Sequence, residues 1–503
     1  VTERRVHLRQ VGVLIAGALP VLAFPRAGLD WFAWAALVPG LLLIRAADGP
    51  RAAVTRGWWF GAGFLLAALY WTIPNIGPGL LLVAVVVGAL WAGWGLAVWA
   101  TLHGPIRPLR ALLLVPSAWV VIEYVRSWHA LGGPWALFGA SQWRHPTILS
   151  LAALGGVWLV SFVLVAVNVA LVIALVSPRS RMQLLVVALV AGLAGPMSFR
   201  LRGEPRTERA LRVALVQPGV VHDPAARLAA GERITTGLPH VDLIVWGESS
   251  VGFDVDRRTD VLARLTTLAS RADLLVNQDA LDGRGRISKT SLLIGPEGIR
   301  GRYVKTRLVP FGEYIPLRPA LGWLTMISRA ADRDRVPGTG VRVLSTGGVA
   351  IGPLVCFESA FPDLGRAVVR DGAQVIVYQS ATSTFQGSWA PPQHAALAAV
   401  RAAETGRPSV QAALTGVSVA FDARGRRLAW LDTNRRGAVV VTLRVPAAAS
   451  RTPFDRYGDT VPYAALVVCG LAVALTYGVR RPTGRPGERS GSPAARPMGS
   501  RFD

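Results

Sequence analysis

Ile351-Gly352-Pro353-Leu354-Val355-Cys356-Phe357-Glu358 is an apolar run that stops on a thiol and a carboxylate. A short apolar run of this kind reads as a buried strand, and the polar residues after it fall at the strand's end. A second run, Val241 to Trp246, stops in the same way just before Glu248. A third strand-like piece, Tyr303-Val304, is followed by Lys305. Among 503 residues there are only two lysines, Lys289 and Lys305, and two cysteines, Cys356 and Cys469. Arginine does nearly all the other cationic work, so a lysine in such a place points to a need for an ammonium. A carboxylate, an ammonium and a thiol at strand ends suit covalent acyl chemistry. Each residue taken alone has a plainer reading. Glu248 could cap a turn, Lys305 could be a solvated loop charge, and Cys356 could be buried packing.

Around these segments the chain reads as a membrane protein. Hydrophobic residues make up 52% and the mean hydropathy is +0.40. About 20 apolar residues suffice to span a bilayer. Seven spans are expected, roughly at 10–25, 29–45, 57–76, 79–102, 110–125, 149–176 and 183–198, with an eighth at about 462–479. A signal peptide is the rival reading of the first. It lacks a clear small-residue cleavage site, and more spans follow closely, which favours a retained helix.

The net charge of +24 comes mostly from arginine, which does not cluster with stacking aromatics as nucleic-acid binding would require. The arginines sort by loop instead: Arg4, Arg5 and Arg9 before the first span, Arg45, Arg51 and Arg56 between the second and third, Arg107 and Arg110 between the fourth and fifth, and Arg179 and Arg181 between the sixth and seventh. The positive-inside rule puts these loops in the cytoplasm and everything after residue 200 outside it, until the eighth span returns. Few ionisable groups lie within the spans, which argues against a transporter. Glu123 and Arg126, near the end of the fifth span, read as an interfacial ion pair, or as a grip on a lipid head group.

Residues 212–448 have another texture. Strands are expected at Arg212–Gln217, Val241–Trp246, Leu274–Asn277, Ser291–Ile294, Ile351–Cys356, Val375–Tyr378 and Val417–Phe421. Helices are expected at Asp260–Ser270, Asp363–Arg370 and Gln393–Glu404, and a hairpin turn at Asp422–Gly425 joins further strands at 426–430 and 437–443. This is an α/β layered domain with one core. The chain divides into a transmembrane bundle over 1–203, the α/β domain over 210–448, a last transmembrane helix over 459–480 and a disordered basic tail over 481–503. The two cysteines are too far apart to suggest a disulfide framework.

Trp246-Gly247-Glu248-Ser249, Tyr303-Val304-Lys305, Leu308-Val309-Pro310-Phe311-Gly312-Glu313-Tyr314-Ile315-Pro316 and Cys356-Phe357-Glu358 together resemble the carbon–nitrogen hydrolase (nitrilase) superfamily. With a multi-span N-terminus, the nine-residue string beginning at Leu308 resembles its membrane-bound apolipoprotein N-acyltransferase family in particular. Gly133-Pro134-Trp135, Gly139 to Gln142, Asn168 and Arg401 to Pro408 are similar to that family as well. The resemblance implies an αββα fold for the outer domain. It implies Cys356 as nucleophile, Glu248 as general base, and Lys305 with the Phe357 amide on the oxyanion. Glu313 is implied as an accessory group that holds Lys305, and Glu358 as a supporting one. Their plainer readings are ion pairs, for Glu313 with an arginine such as Arg307. One segment departs from the family: Ser380-Ala381-Thr382-Ser383-Thr384-Phe385-Gln386-Gly387 lacks an Asn-Asp pair and a Trp, and it is expected near the acyl pocket.

The implied reaction takes a fatty acyl chain from a phospholipid onto Cys356. The chain then passes to the α-amino group of a diacylated apolipoprotein at the outer face of a bacterial plasma membrane. No metal or organic cofactor is implied. The segment Leu317 to Ile327, with Leu321, Trp323, Leu324 and Met326, reads either as an interfacial lid or as an ordinary helix packed on the core. A membrane-tethered amidase and an inactive membrane scaffold are the rival functions.

Overall fold

The computed structural model describes residues 2–281, 285–326 and 334–478. The tail expected to be disordered lies outside them, as does Ile327. The membrane part contains α1 (Thr2–Ala18), α2 (Val38–Arg45), α3 (Pro50–Leu69), α4 (Gly79–Gly88), α5 (Trp91–Leu102), α6 (Pro108–Arg126), α7 (Ala152–Val176) and α8 (Arg181–Arg202). Among the described residues, four stretches are long and apolar enough to cross a bilayer: Pro50–Ile76, Pro108–Arg126, Ala152–Val176 and Leu184–Arg202. The pair α4 and α5, bent by 40°, makes a fifth if it counts as one span. Leu8–Ala23 and Thr460–Thr476 are apolar but shorter.

The expected span at 29–45 is not one helix. It is a 3₁₀ turn, Asp30–Trp34, followed by the eight-residue α2. The cause lies in α7. The Leu37 N–H donates to Asn168 Oδ1 at 2.9 Å, and Asn168 Nδ2 donates to the Ala33 carbonyl at 2.9 Å. A buried side-chain amide thus satisfies backbone groups that a continuous helix would have paired.

Helix α7 is itself broken at Gly155–Gly156, where Gly156 takes φ +71. The ring of Phe454 packs where a Cβ on Gly156 would sit, 2.5 Å away. The break frees the Val157 N–H, which donates to Glu404 Oε1 at 2.8 Å from the α/β domain.

Among the described residues, that domain holds twelve strands in two six-stranded sheets. The first sheet contains β1 (Thr207–Gln217), β2 (Leu243–Trp246), β3 (Asp273–Leu281), β4 (Ile287–Gly295), β5 (Gly298–Val304) and, at its other edge, β12 (Gly437–Pro446). The second contains β6 (Leu344–Thr346), β7 (Val349–Val355), β8 (Val375–Ser380), β9 (Ser409–Ala413), β10 (Ser418–Phe421) and β11 (Arg427–Leu431). Strands β1, β2 and β3 run parallel, as do β7, β8 and β9.

The sheets pack face to face through Leu215, Val245 and Leu275 on one side and Ile351, Val377 and Val410 on the other. Helices α9 (Pro224–Thr236) and α10 (Thr259–Leu268) cover the first sheet. Helices α11 (Pro362–Arg370) and α12 (Ala390–Thr405) cover the second. The order is therefore α-β-β-α. The outer layer of the second sheet does not end in solvent. Ala395, Ala399 and Ala402 of α12 share one apolar cluster with Phe60, Trp119 and Val160 of the membrane helices, and α12 lies against α7. The last helix, α13 (Thr460–Gly478), returns to pack on α6.

Candidate active site

Parallel strands bring their C-terminal ends to one edge of each sheet, where ligands of layered α/β folds are commonly held. Glu248 follows β2, Cys356 follows β7 and Lys305 follows β5, and the fold brings the three together. Cys356 and Ser249 have φ +49 and φ +54, a region that non-glycine residues rarely occupy. Both residues sit at sharp elbows where a strand gives way to the site.

Lys305 is fully buried. Its Nζ lies 3.3 Å from Glu248 Oε1 and 2.8 Å from Glu313 Oε2. Glu313 Oε2 also accepts the Val309 N–H at 2.9 Å, so the turn of the Leu308–Pro316 string orients it. Arg307, by contrast, pairs with Asp363 at 2.8 Å. The other Glu248 oxygen accepts the Ala381 N–H at 3.0 Å. Glu248 and the Cys356 thiol lie close enough for each to act on the other's charge. The Ser380 hydroxyl lies 3.8 Å from the Cys356 sulfur.

Sequence reading missed one participant. Lys289, on β4, places its Nζ 3.3 Å from Glu248 Oε1 and 3.3 Å from Asp279 Oδ1. The signal was available: lysine is as scarce at 289 as at 305. The expected strand began only at Ser291, which left Lys289 in a loop.

Charge organises the pocket. Burial alone would raise the Glu248 carboxyl, but Lys289 and Lys305 outweigh it and bring the pKa down to about 2. Burial works against charge on Lys305 too, yet Glu248 and Glu313 hold its ammonium well above the usual lysine range. Burial and the Glu248 charge push the Cys356 thiol up to about 12, against the pull of Lys305. Burial takes His394 down to about 4, so it is neutral at pH 7. The resting site therefore holds a thiol, a carboxylate and an ammonium.

Among the described residues Glu358 forms no ion pair. Its Oε1 accepts from the Tyr303 hydroxyl at 2.7 Å, the Thr306 N–H at 2.7 Å, the Thr306 hydroxyl at 2.8 Å and the Arg307 N–H at 3.0 Å. Its Oε2 accepts the Val355 N–H at 2.6 Å. It fastens the segment after Lys305 to the Cys356 elbow.

Phe357 has its ring in an apolar cavity of about 260 Å³, shared with Trp71, Trp135, Val309, Phe311 and Phe385. Leu65, Leu69 and Val87 of the membrane helices complete one wall. The divergent loop thus reaches the cavity through Phe385, whose ring lies 4.8 Å from that of Trp71. Gly133 packs on Phe357 and Phe361. In the segment after Pro316, Leu317, Trp323 and Met326 are exposed rather than packed on the core.

Glu123 and Arg126 do not pair as their spacing suggested. Glu123 accepts from the Trp119 indole at 3.0 Å and the Phe138 N–H at 2.6 Å, whereas Arg126 donates to the Trp135 carbonyl at 2.5 Å. Both are taken up in holding the Trp135–Phe138 loop over the cavity.

Residues 16–170 match the family model described as apolipoprotein N-acyltransferase N-terminal domain, and residues 212–451 match the carbon-nitrogen hydrolase model. An apolipoprotein N-acyltransferase of Geobacter metallireducens is 32% identical over 507 residues, covering 94% of this chain and 96% of the relative. One from Pseudomonas paraeruginosa is 31% identical over 475 residues, covering 88% and 91%. Among solved structures, Saccharomyces cerevisiae Nit3, a member of branch 10 of the nitrilase superfamily, aligns at TM-score 0.37 and 20% identity over 47% of this chain and 91% of that one.

Proposed function

The chain belongs to the apolipoprotein N-acyltransferase family, and we propose that it acylates lipoproteins by carrying a phospholipid's fatty chain as a thioester on Cys356. The observation that carries this reading is the meeting of Glu248, Lys305 and Cys356 beside an apolar cavity walled partly by membrane helices.

As the sulfur attacks the ester carbonyl carbon, Glu248 takes the thiol proton. With the thiol at about 12 and the carboxyl at about 2, the proton leaves only as the C–S bond forms. The carbonyl electron pair moves to oxygen, where the Lys305 ammonium and the Phe357 amide stabilise it. Collapse expels the lysophospholipid oxygen, which takes the proton from Glu248. The α-amino group of the diacylglyceryl-cysteine acceptor then attacks the thioester. Glu248 receives its proton, and the sulfur leaves and is reprotonated.

A bilayer-borne donor accounts for the membrane part. Exposing acyl chain to water costs about 0.8 kcal/mol per CH₂, so the chain must pass from lipid to cavity without leaving apolar surroundings. We place all eight apolar segments of 1–203 and 459–480 in the bilayer, with the arginine-rich loops cytoplasmic and 210–448 outside. Leu317, Trp323 and Met326 then face the lipid interface. An alkaline phosphatase fused after residue 206 would be active only in that orientation; an inactive fusion rejects it.

The deciding experiment is the intact mass of the full chain after exposure to phospholipid, followed by addition of a diacylated lipopeptide. An acyl increment is expected on the wild type and is absent from Cys356→Ser. It is discharged onto the peptide amine. Release of free fatty acid without N-acylated peptide would mark a hydrolase instead.

A further inference from the structure

We infer that Lys289 is a positioning residue for this reaction, a second ammonium that fixes the direction and the charge of the Glu248 carboxylate. The inference rests on Glu248 acting as the base in the proposed function.

The geometry is specific. Lys289 and Lys305 approach the same oxygen, Glu248 Oε1, each at 3.3 Å, while Oε2 accepts the Ala381 N–H at 3.0 Å. Both ends of the carboxylate are therefore occupied. The Lys289 ammonium has three donors and three acceptors around it: Glu248 Oε1, Asp279 Oδ1 and the Ser249 hydroxyl. Asp279 lies opposite Lys289 in the β3–β4 ladder, and Ser249 is the elbow residue after Glu248. The Ser249 hydroxyl also donates to Asp279 Oδ1 at 3.1 Å, so the elbow and the lysine share one anchor. A compact ammonium fits this corner; a planar guanidinium would not meet three converging oxygens. The side chain is only 8% exposed, so it does not serve as a surface charge.

The electrostatic count agrees. The charged groups acting on Glu248 are Lys289 from β4, Lys305 after β5 and the more distant Arg335. Cys356 and the neutral His394 face it from the second sheet. Glu313 and Asp279 share these cations. Three cations thus balance three carboxylates. Without Lys289 the cluster carries an excess negative charge, and Asp279 is left facing Glu248 without the cation between them.

The test compares K289M and K289R in the full chain in detergent. Two readouts are taken at pH 2.5 and pH 7: lysophospholipid release, and alkylation of Cys356 by iodoacetamide. An opposite charge this close favours the ionised carboxylate by about one pH unit or more, so with Glu248 at about 2 in the wild type K289M should lower the ratio of the rate at pH 2.5 to that at pH 7 by about threefold or more. K289R, which keeps the charge, should hold the wild-type ratio while turning over more slowly.

An unchanged ratio in folded K289M overturns the inference. So does a ratio in K289R that falls as far as in K289M. If K289M does not fold, K289Q, which still donates to Asp279, takes its place under the same criteria. Alkylation needs no acyl donor. A wild type that never releases lysophospholipid would therefore defeat the proposed function and leave Lys289 testable.

Discussion

Lys305 donates its backbone N–H to the carbonyl of Lys289 at 2.9 Å, so the only two lysines of the chain are neighbours across β4 and β5. Lys305 is the more enclosed, gripped between Glu248 and Glu313 with no exposed surface. A guanidinium at that point has no room for its fork and misdirects its charge. Lys305→Arg should slow acyl-enzyme formation by about 10²–10³-fold, the usual loss for one oxyanion donor. The rate of the acyl mass increment checks this, and near-normal acylation would remove the lysine from the mechanism.

Glu358→Gln should weaken the fold rather than the chemistry alone. Five donors converge on this carboxylate. An amide turns one acceptor oxygen into a donor facing another donor, which costs about 1–3 kcal/mol or more when buried. The expected result is a lower melting temperature in detergent, with Asp the only substitution that recovers part of it.

Gly133→Ala tests the cavity. Gly133 has φ +83, and a Cβ there would lie 2.8 Å from both Phe357 Cζ and Phe361 Cζ. The Phe357 ring must then shift within the cavity proposed for the acyl chain. Lysophospholipid release should fall at least about tenfold, given the strain and the displaced ring. Iodoacetamide, which needs no such space, should alkylate Cys356 at the wild-type rate. Equal losses in both would show that the elbow itself had moved.

Glu404 predicts a pH dependence of stability. Burial raises its carboxyl from 4.5 to about 7, Arg401 opposing only in part. A carboxyl with a raised folded pKa holds its proton more tightly when folded. Its contribution is therefore complete below about pH 4.5 and is lost as pH climbs to about 7. The loss is on the order of 3 kcal/mol. Glu404→Gln, which still accepts the Val157 N–H, should flatten that part of the melting-temperature profile. An identical slope in the variant would exclude Glu404 as its source.

Glu248 and Cys356 were legible because each ends an apolar run, and a strand that stops on an ionisable residue places it at the sheet's edge. Lys289 was hidden by its setting, Ile287-Ser288-Lys289-Thr290, which does not read as strand although β4 begins there. Strand β5 was legible only at its end, Tyr303-Val304, because Gly298, Arg300, Gly301 and Arg302 dilute its apolar signal at the sheet's edge. The segment 29–45 looked like one continuous helix because hydropathy counts apolar residues. It does not register an amide from Asn168, 131 residues away, that takes over the backbone. Glu123 and Arg126 have helical pairing distance, yet the Trp135–Phe138 loop offers each a better partner. In all these cases local pattern located the element, and a distant partner decided what it did.

The apolar cluster that runs unbroken from α12 into the membrane helices has a practical consequence. The two halves are not interchangeable cassettes. A piece starting near residue 207 would carry a greasy underside made by Phe361, Leu364 and Leu397, and would clump in water. A graft of this outer half onto another relative's base must bring along the matching surface of α7, broken glycine pair included.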